Sequence, residues 1–151
     1  MTKILFVCLG NICRSPMAKF IFQDIIKKKG VEKDFVIDSA ATSKEEVGNG
    51  LYYNAKMKLE ENNIVCNNHV AKQITKNDYE KFDYIIGMEK RNIDNILSIT
   101  GEDSQDKVFR LLDFSNDPRD IADPWYTRDF EKTYIEILEG CEGLLKHIIN
   151  E

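Results

Sequence analysis

The sequence predicts an α/β fold: a four-stranded parallel sheet, doubly wound, with helices on both faces and a ligand-binding loop after the first strand. Short apolar runs alternate with helical patterns along the chain, as right-handed strand–helix–strand crossovers require. The first run, Ile4 to Val7, is continuously apolar, which is typical of a parallel strand covered on both faces. No repeat, low-complexity tract or linker interrupts the 151 residues, so we expect residues 1–151 to form a single domain.

The first half of the chain is predicted to contain two strands, each followed by a helix. The strands cover residues 3–8 and 35–39, and the helices cover residues 17–29 and 51–63. Ser15 can cap the first helix, and Pro16 suits its first position, where a missing N–H costs nothing. Gly30 is a suitable end for that helix.

The second half repeats the pattern after a short capping-box-like segment at residues 75–78, with Asp in place of the usual Glu or Gln. The strands cover residues 82–88 and 108–112, the helices cover residues 90–100 and about 129–149, and a long acidic loop spans 113–129. Gly140 and Gly143 lie inside the last helix, where each costs ~1 kcal/mol of helix propensity. We therefore expect another element to pack closely there.

Composition restricts the partners and the compartment. The formal net charge is −5, which argues against nucleic acid or an anionic membrane as a partner, because those partners require a basic surface. The longest apolar run is too short for a signal-peptide core or a membrane span. Four cysteines in a chain of this length do not form the pattern of a disulfide framework. We expect a cytoplasmic protein with reduced thiols.

The most informative segment is the predicted loop between the first strand and the first helix, Cys8-Leu9-Gly10-Asn11-Ile12-Cys13-Arg14-Ser15. Ligands bind at the carboxyl ends of the strands in such sheets. A strand–loop–helix corner turns successive backbone N–H groups inward and adds the positive end of a helix dipole. The sequence therefore predicts an anion-binding loop with a thiol at its floor.

The spacing of Cys8 and Arg14 suits phosphoryl transfer. The guanidinium fork and the inward N–H groups can together hold three non-bridging phosphate oxygens, with the thiol beneath the phosphorus. Positive surroundings favour the thiolate form of a cysteine. Gly10 and Asn11 are residues that tolerate backbone angles which other residues resist. We interpret the segment as a phosphate-binding loop with a nucleophile.

Residues 8–16 resemble the signature loop of the low-molecular-weight protein tyrosine phosphatases. Further segments follow in that family's order and spacing, namely residues 38–41, His69 with residues 71–75, residues 82–85, and residues 123–126. The resemblance implies hydrolysis of phosphotyrosine in proteins, and of small aryl phosphates, through a cysteinyl-phosphate intermediate. It implies no metal and no cofactor. The partners would be tyrosine-phosphorylated proteins, with inorganic phosphate or other oxyanions as product or inhibitors, and we expect a monomer.

The resemblance also assigns roles to residues. Cys8 would be the nucleophile, Arg14 the phosphate clamp and Asp123 the general acid and then base. A departing oxygen does need a proton donor, although Asp113, Asp117, Asp120 and Asp129 lie nearby, so that spacing alone would not select Asp123. Phosphate would bind to residues 9–15, that is Leu9, Gly10, Asn11, Ile12, Cys13, Arg14 and Ser15.

Four residues would support the loop in such an enzyme, and a second thiol would protect it. Ser15 would hydrogen-bond the Cys8 sulfur, while Asn11, Ser39 and His69 would hold the loop's shape. Cys13 would form a disulfide with Cys8 and prevent irreversible oxidation, although a small buried residue at a helix start is the alternative.

The predicted pocket walls are Ile12, Glu45, Trp125 and Tyr126. Trp125 and Tyr126 would pack against the phosphotyrosine ring, unless they form an aromatic pair in the core. Related arginine phosphatases have threonine at the position of Ile12, so isoleucine resembles the tyrosine-specific version. Many relatives have an aromatic residue near Glu45, and this departure favours substrates with basic flanks.

Other interpretations of the loop fit the sequence less well. An arsenate reductase of the same fold needs two further thiols, and residues 67–140 contain no cysteine. A phosphotransferase-system carrier domain would need neither Arg14 nor Asp123, and a phosphotyrosine-binding module without turnover would not need all three predicted catalytic residues. A zinc site at Cys8 and Cys13 lacks a second ligand pair.

Overall fold

The computed structural model describes residues 1–150 and has the predicted α/β architecture. Four parallel strands form one sheet in the order β2-β1-β3-β4. The strands are β1 (Thr2–Cys8), β2 (Phe35–Ala41), β3 (Tyr84–Gly87) and β4 (Val108–Arg110). The α-helices are α1 (Arg14–Lys28), α2 (Tyr53–Glu61), α3 (Asp78–Lys81), α4 (Lys90–Thr100), α5 (Pro124–Thr127) and α6 (Phe130–Ile149), and short 3₁₀ turns cover Glu32–Asp34 and Leu111–Phe114.

Strand β1 is central and is buried on both faces, as its continuous apolar run predicted. Ile4 and Phe6 belong to one core, with α1 and α6, while Leu5 and Val7 belong to the other, with α3 and α4. Neighbouring side chains of a strand point to opposite faces, so each face needs its own apolar residues. The chain continues from β1 to β2 on one side and later returns to β3 on the other. The carboxyl end of β1 is therefore the topological switch point.

The ends of several elements differ from the predictions. Helix α1 begins at Arg14, so the predicted cap at Ser15, with Pro16 in the first position, is wrong. The N-cap is Cys13, which makes no side-chain capping bond. The Ser15 hydroxyl does not cap the helix, because it bonds to the side chains of Cys8 and Asn11 instead. Helix α2 is shorter than predicted at both ends. Strand β4 ends at Arg110, where the chain turns into the 3₁₀ segment that buries Leu111 and Leu112.

The segment predicted as a capping box makes only half of that motif. The Thr75 N–H donates to the Asp78 carboxylate at 2.8 Å, but α3 is a single turn that begins at Asp78 itself. Among residues 1–150, the helices are all too short or too polar to cross a membrane.

The two glycines of α6 allow the close contact that we expected. A Cβ at Gly140 would lie 2.4 Å from the Leu111 Cγ, and one at Gly143 would lie 2.1 Å from the Phe114 carbonyl oxygen. The helix thus rests directly on the backbone of the 3₁₀ turn. This contact fixes the start of the segment that leads to Asp123.

Gly143→Ala should destabilise the protein by about 1–3 kcal/mol, although alanine is the better helix former. The added methyl group meets backbone, which cannot rotate away. Urea unfolding monitored by circular dichroism measures the change. Glu142→Ala, at an exposed neighbouring position of the same helix, is the control and should be nearly neutral; equal stability of the two variants would contradict the packing argument.

Candidate active site

A cleft of about 240 Å³ lies at the carboxyl end of β1. The predicted loop residues from Cys8 to Arg14 form its floor, and all of the predicted wall residues line it. The complete lining is Cys8, Leu9, Gly10, Asn11, Ile12, Cys13, Arg14, Ser43, Glu45, Glu46, Asp123, Trp125 and Tyr126. Ser15 lies beneath this surface, where it is fully buried.

The loop is held from outside through its carbonyl groups. The N–H groups of Thr42, Ser43 and Tyr52 donate to the carbonyls of Cys8, Leu9 and Ile12 at 2.9, 3.0 and 2.8 Å. The Met17 N–H donates to the Cys13 carbonyl at 3.0 Å, within the first turn of α1. When carbonyls are bonded on the outside of such a tight loop, its N–H groups turn towards the inside. The cleft is therefore suited to an anion.

Asn11 is the centre of the support beneath the loop. It has φ = 58°, in the left-handed region that asparagine tolerates. Its side-chain amide donates to Ser15 Oγ at 2.8 Å and Ser39 Oγ at 3.0 Å, and its Oδ1 accepts the Lys72 N–H at 3.1 Å. His69 Nε2 lies 2.6 Å from the Asn11 carbonyl oxygen.

Gly10 differs from the expectation that it would supply an unusual backbone angle. Its φ is not in the positive range where Asn11 lies. A Cβ there would lie 3.4 Å from the Glu46 side chain, which packs over the loop. At this position, glycine gives room to a neighbour rather than conformational freedom to the chain.

The Cys8 sulfur lies at the bottom of the loop, with the residue only 3% exposed. Ser15 Oγ is 3.0 Å from the sulfur, and the N–H groups of Asn11 and Ser15 donate to it at 3.3 and 3.4 Å. Donors around a sulfur stabilise its thiolate form. This arrangement suits a nucleophile that must also act as a leaving group.

Arg14 is buried but has three oxygen partners. Its Nη1 donates to Glu89 Oε2 at 2.5 Å and to the Ile121 carbonyl at 2.8 Å, and its Nη2 lies 3.5 Å from Asp123 Oδ2. Burial opposes the guanidinium charge, but Cys8, Asp123 and Glu89 together raise the pKa of Arg14. The cation therefore stays charged at the side of the loop.

Glu89 is a site residue that the sequence analysis missed. It follows β3, so it lies at the same edge of the sheet as the loop, and its carboxylate also accepts an N–H of α4 as its N-cap. Its position one residue after the predicted third strand was the available signal. Because the carboxyl ends of adjacent parallel strands meet at one edge of the sheet, a charged residue directly after the third strand could have been predicted to lie near the loop.

Asp123 is at the start of the short helix α5, across the cleft from the loop. Its Oδ1 accepts the Trp125 N–H at 3.0 Å as an N-cap, and Pro124 occupies the first helical position. Both features fix the carboxylate in place. Earlier in the same acidic loop, Arg119 forms ion pairs with Glu136 and Glu139, which attach the loop to α6.

The pocket rim combines aromatic and acidic side chains. Trp125 is 48% exposed and Tyr126 is 77% exposed, so they form a surface wall and not a core pair. Trp125 packs on Tyr52, with ring centroids 5.2 Å apart, and the Arg128 guanidinium carbon lies 5.9 Å from the centroid of the Trp125 ring. Glu45 is exposed at the cleft edge.

The remaining cysteines differ in their surroundings. Burial, followed by the charges of Cys8 and Asp123, raises the pKa of the Cys13 thiol far above its usual range. Cys141 is fully buried on α6, as predicted for a core residue. All four cysteines are free in the structure.

Comparisons with known proteins agree with the geometry of the site. A family model described as low molecular weight phosphotyrosine protein phosphatase matches residues 3–151. The low molecular weight protein-tyrosine-phosphatase YfkJ of Bacillus subtilis is 40% identical over 153 residues, which cover 100% of this chain and 98% of that protein. The crystal structure of YfkJ covers 99% of this chain and 96% of its own, with a TM-score of 0.96.

Two other relatives differ in their stated substrates. The low molecular weight phosphotyrosine protein phosphatase of Gallus gallus is 37% identical over 149 residues, or 95% of this chain and 94% of that protein. The crystal structure of a Drosophila arginine phosphatase is 29% identical, with a TM-score of 0.88, and the match covers 97% of this chain and 98% of that one.

His69 should make the protein less stable as the pH falls. Burial is the largest cause that lowers its pKa, and it outweighs the bond to the Asn11 carbonyl, which raises it. The unfolded chain then binds a proton more readily, so this contribution to stability is complete above the ordinary histidine pKa of about 6.5 and is lost below it.

The measurement is the free energy of unfolding in urea at pH 7.5 and pH 5.5, a window above the titration of the carboxylates. The difference between the two values should be smaller in His69→Gln than in the wild type. Asn67→Gln, an exposed position two residues from His69, carries no titratable group and should retain the wild-type difference. A His69→Gln variant with an unchanged difference would refute the assignment.

Proposed function

We propose that this chain, which belongs to the low-molecular-weight phosphotyrosine protein phosphatase family, hydrolyses phosphotyrosine in proteins and small aryl phosphates through a cysteinyl-phosphate on Cys8. One observation carries the mechanistic part of this proposal. The Cys8 sulfur, the Arg14 guanidinium and the Asp123 carboxylate all line a single cleft, although they come from segments far apart in the sequence.

The phosphate of the substrate binds in the loop, above the sulfur. Inward N–H groups of residues 9–15 and the Arg14 guanidinium hold its non-bridging oxygens. Their positive charge balances the negative charge of the phosphoryl group as it is transferred, and such preorganised stabilisation is often the largest contribution to catalysis. Glu89 acts as a positioning residue, because it orients Arg14 through Nη1, while Nη2 lies on the side of Asp123 and the cleft.

The reaction has two steps. The Cys8 thiolate attacks phosphorus, the bond from phosphorus to the tyrosine oxygen breaks, and Asp123 gives its proton to that oxygen. Water then attacks the cysteinyl-phosphate, Asp123 takes a proton from the water, and Cys8 leaves as thiolate while phosphate is released. Ser15 hydrogen-bonds the departing sulfur at the distance of 3.0 Å found in the structure.

The walls of the cleft favour an aryl substrate. Trp125 and Tyr126 provide a flat apolar surface for a phenyl ring. Ile12 offers no hydrogen-bond acceptor for the guanidinium of a phosphoarginine, which makes phosphotyrosine the better substrate. Glu45, together with Glu46, favours proteins with basic residues beside the phosphotyrosine.

The setting of the activity follows from the same features. The partners are tyrosine-phosphorylated proteins, and inorganic phosphate or similar oxyanions act as product or inhibitors. The four free cysteines support a location in the cytoplasm, where thiols are kept reduced, and we propose that the chain acts there as a monomer.

The Asp123→Asn variant should be slowed far more with poor leaving groups than with good ones, because a good leaving group needs no proton. A loss of roughly 10²–10⁴-fold is the size expected for removal of a general acid. The measurement is kcat/KM, which depends only on the steps up to transfer of the phosphoryl group to Cys8, for a series of aryl phosphates of increasing phenol pKa. A uniform loss across the series would remove Asp123 from the role of acid.

The Cys8→Ser variant and a comparison of substrates complete this test. Cys8→Ser should bind phosphate or a similar oxyanion but release no phosphate from an aryl ester, and full turnover would exclude the mechanism.

Wild-type protein offered phosphotyrosine, phosphoarginine and arsenate side by side should turn over phosphotyrosine fastest. A preference for phosphoarginine would overturn the substrate assignment, with the fold and family unchanged.

We further propose that Cys13 protects Cys8 from oxidation. Peroxide converts the Cys8 thiolate to a sulfenic acid, the Cys13 sulfur attacks it, and a disulfide forms as water leaves. Since the raised pKa of Cys13 keeps it protonated, the second step should accelerate as the pH rises.

Mass spectrometry after mild peroxide treatment should therefore find a disulfide between Cys8 and Cys13, with activity restored by a thiol reductant. Cys13→Ala should be inactivated irreversibly instead, as Cys8 proceeds to sulfinic and sulfonic acids. Cys66→Ala is the matched control and should behave like the wild type. Equal recovery of all three proteins would rule out the protective role.

A further inference from the structure

A second groove adjoins the catalytic cleft on the far side of the segment that carries Asp123 and Tyr126. Its volume is about 510 Å³, and it shares Leu9, Arg14, Asp123 and Tyr126 with the cleft. Its outer part is formed by Arg91, Asp120 and Thr127, with Glu89 and Asn92 behind them. A peptide whose phosphate lies in the loop therefore has this groove beside it, on the other side of the shared wall.

Arg91 is the notable group in this groove. It lies in the first turn of α4 and its side chain is exposed. Among residues 1–150, no carboxylate forms an ion pair with it and no hydrogen bond involves its guanidinium. The proposed mechanism makes no use of it.

The acidic side chains beside Arg91 already have other partners. Glu89 pairs with Arg14 at 2.5 Å. Asp120 pairs with Arg110 at 3.1 Å and accepts the Lys90 N–H at 2.9 Å. Asp123, the third carboxylate of the groove, shares Arg14 with Glu89. Asp120 shares Arg110 with Asp113. Each carboxylate of the groove thus has a cation within 3.5 Å, and within residues 1–150 Arg91 is the cation of the groove without a carboxylate partner.

We propose that the groove is a subsite for an acidic side chain close to the phosphotyrosine in a protein substrate, with Arg91 as the residue that pairs with its carboxylate. This proposal rests on the proposed function. It makes Arg91 a specificity-determining residue, outside the group that holds or transfers the phosphate. The acidic rim at Glu45 and Glu46 lies in the catalytic cleft and outside this groove, so the two rims together orient the bound peptide.

The geometry of an extended peptide limits the positions that can reach Arg91. An extended chain advances about 3.3 Å per residue and alternates its side chains between two faces. Side chains within three residues of the phosphotyrosine therefore lie within about 10 Å of it along the peptide. Because the groove shares a wall with the phosphate pocket, these are the positions that we expect to reach Arg91.

The test uses short phosphotyrosine peptides with one Glu at each position from three before to three after the phosphotyrosine. Each has a partner peptide with Gln at the same position, which has the same shape without the charge. The readout is the ratio of kcat/KM for the Glu and Gln peptides, obtained from phosphate release. Because the ratio is taken within one protein, it is independent of any general change in activity.

At one or more positions the wild-type ratio should be about two- to five-fold, the effect of a solvent-accessible ion pair. Arg91→Ala should reduce the ratio to one, and Arg91→Glu should reduce it below one. Lys90→Glu introduces the same change of charge one residue away, but Lys90 pairs with Asp94 and does not line the groove. That control should therefore retain most of the preference.

A wild-type ratio of one at every position would overturn the subsite, and so would a preference that survives in Arg91→Ala. In both cases hydrolysis of the peptides would leave the proposed function intact. A wild-type protein that hydrolyses none of the phosphotyrosine peptides would instead contradict the proposed function, and the subsite with it.

Discussion

The site depends on one buried cation, the guanidinium of Arg14. A buried charge without partners costs several kcal/mol, and breaking a buried pair typically costs about 3–5 kcal/mol. The Arg14 guanidinium therefore requires oxygen atoms as partners. These are the carboxylate of Glu89 after β3, the carbonyl of Ile121 and the carboxylate of Asp123. These contacts to one charge join the loop after β1 to two other segments. They also place the proposed phosphate clamp, Arg14, beside the proposed acid, Asp123.

The parallel sheet makes this meeting of segments possible. Strands β1 and β3 are neighbours and run in the same direction, so the Cys8 loop and Glu89 emerge at one edge. The acidic loop reaches that edge because the glycines of α6 allow the helix to lie on the 3₁₀ turn after β4. Packing far from the phosphate pocket thus sets the position of Asp123 within it.

Local features could be predicted from the residue pattern, whereas long-range partners were either implied only by the family resemblance, as Ser39 and His69 were for Asn11, or were missed. The alternation of strands and helices, the burial of β1 and the contacts of Gly140 and Gly143 follow from patterns within a few residues. Ser15 was misassigned as a helix cap, because its hydroxyl is taken by the Cys8 sulfur and the Asn11 amide, two competitors that helix patterns ignore. Glu89 lies 75 residues from Arg14, and no local pattern signals a pair at that separation.

The same distinction explains why net charge is a poor guide to what the cleft accepts. The chain has a formal charge of −5, yet most carboxylates near the site are paired with cations. Exposed charges interact effectively only within a Debye length, about 8 Å at physiological ionic strength. We therefore propose that a bound peptide responds to the few charges left without partners, Arg91 in the groove and Glu45 at the opposite rim. On this proposal those two residues, and not the total charge, would set the preference for sequences around the phosphotyrosine.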